Sequence, residues 1–206
     1  MEIVLASTSP YRRNLMRRLG LPFQCVAPEV DEDVESGEEP ERRAIRLARL
    51  KAQSAAVTRL SSPSLCIGSD QVACLGDRLL RKPGTDKRAA EQLAAVSGNL
   101  LKFWTGVCVA SDSGTLWSRL VACEVQIRKL SSAEIEHYIA IDRPLDCAGS
   151  FKWEALGISL FEFVRSPDPT ALEGLPLIAL CDLLRQAGVS LPSAAQARQD
   201  LSLIHI

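Results

Sequence analysis

Short apolar runs separated by polar turns recur along the chain, and their spacing predicts the elements. Ile3-Val4-Leu5-Ala6 reads as a strand that leads through Ser7-Thr8-Ser9 into a helix over 10–19, with Ser9 as N-cap, Pro10 at the first helical position and Gly20 closing it. A second strand is expected over 23–30 and an acidic loop over 31–39. From Pro40, the residues Ala44, Leu47, Ala48, Ala52, Ala55 and Ala56 recur at helical spacing and predict a long helix with one apolar stripe. Residues 65–75 read as a buried strand interrupted by polar positions, with a turn at Gly76-Asp77 and a return strand at Leu79-Leu80. A helix over 85–96 ends at Ser97-Gly98, and 100–110 with 116–128 form a hairpin around Ser111-Asp112-Ser113-Gly114. Ser131-Ser132-Ala133-Glu134 has the spacing of a capping box and opens a helix to about 141. A strand over 158–164 and a helix over 176–186, closed by Gly188, complete the series. Strands and helices alternate without a strict unit, which argues for a mixed α/β fold. Residues 1–191 are expected to form a single domain, and 192–206, polar and then abruptly apolar, a tail outside it.

Composition narrows this picture without naming a function. A chain of 206 residues, 47% hydrophobic and 24% charged, is ordinary for a soluble domain with a real core. A net charge of -1 gives no global attraction for nucleic acid or an anionic membrane, so neither partner is expected and any anion site must be local. The seven cysteines include no C-x-x-C pair and read as small reduced hydrophobes, and the two histidines form no zinc pattern. The start has no signal-peptide pattern and no run nears the ~18 apolar residues of a membrane span, so a cytoplasmic location is expected. The P-loop, dinucleotide and G-x-S-x-G fingerprints are all missing from the sequence.

Four features carry candidate chemistry. Arg12 and Arg13 fall in the first turn of the first helix, where the helix dipole disfavours cations. A phosphate bound there reverses the penalty, because free N–H groups and guanidinium forks then point at one anion; the plain alternative is a solvated pair, as Arg17-Arg18 repeats the doublet. Lys51 lies within the apolar stripe of the long helix, either snorkelling to water or aiming its ammonium at a phosphate. Asp70 sits in a buried strand after Gly68-Ser69 and requires a partner: an ion pair, a role as base, or a magnesium ion, with Glu32 as the second carboxylate. Lys82-Pro83 offers a further point charge on a rigid loop.

The order and spacing of these features resemble a known family. Leu5-Ala6-Ser7-Thr8-Ser9-Pro10-Tyr11-Arg12-Arg13 is similar to the signature that opens the Maf nucleotide pyrophosphatases, also called septum formation inhibitor proteins. The similarity continues through Val30-Asp31-Glu32, Arg46-Leu47-Ala48-Arg49-Leu50-Lys51-Ala52, Gly68-Ser69-Asp70-Gln71-Val72, Lys82-Pro83 and Gly174-Leu175-Pro176-Leu177, and covers 1–191. It implies an elongated mixed sheet flanked by helices, with two lobes and a cleft, like the inosine triphosphate pyrophosphatases, often in a homodimer. It also implies cleavage between the α and β phosphates with a divalent cation (Mg, Mn or Co). By resemblance Asp70 is the proton acceptor, and Ser7, Arg13, Glu32, Lys51 and Lys82 match the family's polar active-site set, with Arg12 beside them as a substrate ligand.

Within the family the chain is most similar to the 7-methyl-GTP pyrophosphatase subgroup, whose base-selecting positions fall at Tyr11, Gln71 and Glu154. The chemistry agrees. N7-methylguanine is cationic, an aromatic face such as Tyr11 or Trp153 attracts it by about 0.5–2 kcal/mol, and Glu154 can accept from the guanine N1–H and amino group. Two other readings stay open: a dTTP/UTP or broad house-cleaning pyrophosphatase, and a nucleotide-binding regulator of cell division without turnover.

Overall fold

A computed structural model describes residues 1–57 and 63–192; the expected tail from 193 onward lies outside the described residues. Strands β1 (Glu2–Ala6), β2 (Gln24–Val26), β3 (Ser64–Leu75), β4 (Arg78–Leu80), β5 (Leu100–Ser111), β6 (Leu116–Ile127) and β7 (Phe161–Arg165) form one mixed sheet. Helices α1 (Pro10–Arg17), α2 (Pro40–Val57), α3 (Asp86–Val96), α4 (Ser132–Asp142) and α5 (Leu177–Gln186) cover it, with short 3₁₀ helices at Leu156–Leu160 and Pro169–Glu173. The sheet order is β2-β1-β3-β5-β6-β7. The strand β1 runs parallel to both β2 and β3, and the remaining pairs are antiparallel.

Local chemistry accounts for most of the boundaries. Ser9, Thr85 and Ser131 each accept a hydrogen bond from a first-turn N–H of the helix that follows, and the Ser131–Glu134 capping box makes both of its bonds. Two strands are shorter than predicted. The edge strand β2 covers only three residues, because Pro28 has no N–H to extend the ladder. The strand β7 starts at Phe161, since the residues before it are wound into a 3₁₀ turn tied to α4 by the Gly157 N–H donating to Asp142 Oδ2 at 3.1 Å. Cys25, expected among the buried thiols, is exposed on β2.

Alternation along the long strands puts α2 on one face and four helices on the other. On the α2 face, Val4, Ala6, Cys66, Cys108 and Ala110 pack against Ala48, Ala52 and Ala55. On the opposite face, Ile67, Val107 and Val109 pack against α1 and α5 at one end. At the other end Ala73, Leu101 and Phe103 pack against α3 and α4. The molecule therefore has two helical lobes at opposite ends of shared strands.

Candidate active site

The sheet leaves a gap where the lobes meet. Along one edge of β3, β1 pairs with the segment up to Ile67 and β4 pairs from Ala73, so 68–72 have no ladder partner on that side. Asp70 lies in this gap and faces α2, while Ser69 and Gln71 face the other side of the sheet, as a period of two requires. The helix α2 comes unusually close here. A Cβ at Gly68 would strike the Ala48 carbonyl and the Ala52 amide, and one at Gly106, paired with Asp70, would strike the Ala44 carbonyl. That approach delivers Lys51, 5% exposed, so that its Nζ lies 2.7 Å from Asp70 Oδ1 and 2.7 Å from Glu32 Oε1. The lysine of the apolar stripe does not snorkel; it holds two carboxylates together.

Glu32 reaches this point because α2 grips the acidic loop. Arg46 binds Glu38 in a fork at 2.5 and 2.7 Å and donates to the Asp33 carbonyl at 3.0 Å, while Arg43 donates to the Glu32 carbonyl. Burial pushes the Glu32 carboxyl up, but the bond to Lys51 and the nearby Arg12 and Lys82 charges outweigh it and hold the carboxyl below its ordinary value. The hydrogen bond to Arg46 likewise depresses Glu38.

The start of α1 forms the next wall. Ser7, buried at the end of β1, accepts the Ser9 N–H at 3.1 Å, and Ser9 caps the Arg12 N–H at 3.4 Å. Arg12 turns inward and its Nε donates to the Gly174 carbonyl at 2.7 Å. Desolvation lowers its pKa, opposed by the negative charges of Asp70 and Glu32. Arg13 does not join it: it is exposed and lies outside the cleft, because successive helix residues point about 100° apart. Of the two arginines, Arg12 lines the cleft and Arg13 does not. Lys82, exposed after β4, stands on the rim.

The cleft holds about 670 Å³ and extends from this charged centre to a second end beside α1. There the Tyr11 hydroxyl donates to Asp146 Oδ1 at 3.4 Å, which fixes the ring in the wall. Glu154 and Glu173 line the same end. Burial, with Asp142 and Asp146 nearby, raises the Glu154 carboxyl; burial and then Glu154 raise Glu173. Cys147, also at this end, has its thiol pushed up to about 12 by burial and is a poor nucleophile. Gln71 lines the cleft, but its amide nitrogen is occupied, 2.7 Å from the Ala171 carbonyl and 3.2 Å from that of Leu172.

Four residues are assigned no role from the sequence pattern: Glu173, Ser69, Asp168 and Thr170. Glu173 sits in a 3₁₀ turn with no periodic pattern. Ser69, fully buried, is 2.7 Å from the Gly106 carbonyl and 2.8 Å from that of Gly174. Asp168 and Thr170 accept the first N–H groups of α5, at 2.7 and 3.0 Å to Asp168 Oδ2 and 2.7 Å to Thr170 Oγ1. The run Asp168-Pro169-Thr170 before the apolar helix was a legible signal for that cap.

Among the described residues no three His, Cys, Asp or Glu side chains form a metal cluster. Glu32 and Asp70 nevertheless converge on one cation, the Lys51 ammonium, and present hard oxygen donors. Two carboxylates suit a divalent cation that completes its shell with substrate phosphate and water.

A mixed α/β sheet whose open edge carries paired carboxylates and basic groups defines a protein of the phosphate-handling, nucleotide-sized cleft class. The model of the family described as Maf-like protein matches residues 2–187, and the chain belongs to the Maf family. A relative from Xanthomonas oryzae pv. oryzae named 7-methyl-GTP pyrophosphatase is 54% identical over 191 residues, 93% of this chain and 99% of the relative. One of the same name from Thiobacillus denitrificans is 50% identical over 188 residues, 91% and 92% of the two chains. Among solved structures, the Staphylococcus aureus Ham1 protein aligns with a TM-score of 0.42 at 16% identity, over 76% of this chain and 90% of that one.

Proposed function

We propose that this protein hydrolyses 7-methyl-GTP to 7-methyl-GMP and diphosphate. The observation that carries the reading is the buried Lys51 ammonium joining Asp70 and Glu32 at the open edge of β3, beside Arg12 and Lys82. The names of the relatives support the substrate, as does an acidic, aromatic-walled end of the cleft suited to a cationic purine.

In this reading the triphosphate lies between the α1 start, Arg12 and Lys82, whose positive charge meets its oxygens. Lys51 keeps Asp70 aimed at the gap. Asp70 takes a proton from water, the resulting oxygen adds to the α-phosphorus, the bond to the bridging α–β oxygen breaks, and diphosphate leaves. A divalent cation held by Glu32 and Asp70 supplies charge neutralisation for the phosphates when bound. Tyr11 offers its ring face to the base and Glu154 accepts its N1–H and amino group.

The test is diphosphate release from 7-methyl-GTP, GTP, dTTP and UTP by the wild type and by Asp70→Asn. The reading expects 7-methyl-GTP to have the highest kcat/KM, and Asp70→Asn to lower kcat about 10²–10⁴-fold with the circular dichroism unchanged. A pyrimidine preference overturns the substrate; a folded Asp70→Asn with full activity overturns the role of Asp70.

A further inference from the structure

The acidic end of the cleft contains more negative charge than recognition of a neutral guanine requires. One carboxylate suffices for the N1–H and amino group, and Glu154 fills that role in the reading on which this inference rests. Glu173 lines the same end. Neither residue joins a salt bridge among the described residues. Burial raises both carboxyls, and the Glu154 charge raises Glu173 further. A neutral ligand closing over them would deepen that cost; a ligand with a positive ring would relieve it.

The position of Glu173 is set by an unusually dense clamp. On its N-terminal side, the Ala171 carbonyl accepts from Gln71 at 2.7 Å and from Thr105 Oγ1 at 2.9 Å. On its C-terminal side, the Gly174 carbonyl lies 2.8 Å from Ser69 Oγ and accepts from Arg12 Nε at 2.7 Å. Gln71, Ser69 and Thr105 all belong to the sheet, so Glu173 is held between two pinned carbonyls rather than on a free loop. Beside it, the Trp153 indole N–H is buried without a hydrogen-bond partner among the described residues. A buried donor without a partner, next to a carboxylate that joins no salt bridge, marks an incomplete environment.

We propose that Glu173 is a substrate-selecting residue, acting with Glu154 to favour a purine that carries a fixed positive charge, and that Gln71 is a positioning residue that acts through it. Gln71 then influences base choice through the loop that presents Glu173, which its amide nitrogen holds.

The experiment compares kcat/KM for 7-methyl-GTP and GTP in the wild type, Glu173→Gln and Gln71→Met, with calorimetric affinities for 7-methyl-GMP and GMP and a thermal melt of each variant. The wild-type ratio is expected to fall ~10-fold in Glu173→Gln, the scale of one hydrogen bond to a charged group, and the product affinities to shift in the same direction. Gln71→Met is expected to lower the ratio too, whereas loss of a merely structural contact would depress both substrates alike. Should Glu173→Gln fail to fold, Glu173→Asp gives the same comparison with a withdrawn carboxylate. A wild type that prefers 7-methyl-GTP, with a folded Glu173→Gln variant that keeps the full ratio, overturns this inference alone. A wild type with no such preference overturns the proposed substrate and this inference with it.

Discussion

At the scale of single residues, Lys51 decides the character of the site. Its ammonium is the common partner of Asp70 and Glu32, and both Lys51 and Asp70 are buried. Replacing it by methionine keeps the apolar stem but leaves the Asp70 carboxylate without its hydrogen-bonded ion-pair partner. Urea unfolding of Lys51→Met is expected to show a loss of about 3–5 kcal/mol, the cost of breaking rather than deleting a buried pair. Glu173 has the opposite sign. Its folded pKa is raised, so its ionisation opposes folding, and stability falls as pH rises through that value. Glu173→Gln is therefore expected to melt ~1–4 °C above the wild type at pH 8, with the difference vanishing in acid. Glu38 runs the other way again. Its carboxyl is depressed by Arg46, so its contribution is present above the ordinary carboxylate range and is lost as pH falls. The melting-temperature gap between wild type and Glu38→Gln should accordingly be full at pH 7 and close on acidification.

At the scale of elements, the approach of α2 to the sheet is the step on which the site depends. Gly68→Ala or Gly106→Ala sets a Cβ against α2 backbone, which has no flexible end to move aside. Each is expected to cost at least ~1–3 kcal/mol in denaturant unfolding and to lower kcat by displacing Lys51. The helix itself was legible in the sequence: the stripe with Lys51 inside it matches the buried face residue for residue. So were the capping box at Ser131 and the strand around Asp70. The sequence did not separate Arg12 from Arg13, because both suit a first turn and only the distant Gly174 carbonyl selects one. Nor did it reveal Glu173 or the two 3₁₀ turns. The Pro169–Glu173 turn is specified by hydrogen bonds across about a hundred residues of chain, as between Gln71 and Ala171, and the Leu156–Leu160 turn by the Gly157 bond to Asp142, rather than by a local period.

At the scale of the molecule, β3 and β5 each contribute to both lobes, so neither end has a sheet of its own. The three tryptophans pack in different regions: Trp117 with the α1–α5 end, Trp153 with the α3–α4 end and Trp104 beneath α2. Fluorescence from single-tryptophan variants is expected to report one shared midpoint, coincident with far-UV circular dichroism, as a single cooperative unit requires. No helix among the described residues is long and apolar enough to cross a membrane.

The gap between β1 and β4 has one more consequence. An unpaired strand edge is a template on which a neighbouring chain can dock and propagate a sheet. Here the bare stretch is short, bounded at both ends by strands already paired, and overlooked by the charged Lys51–Asp70 pair and the acidic loop that α2 holds in place. An incoming strand would have to strip those charges of water and displace that loop, whereas a small, hydrated polyanion fits among them. The charged gap proposed as the nucleotide's entry is thus also ill suited to strand-by-strand pairing with a second chain.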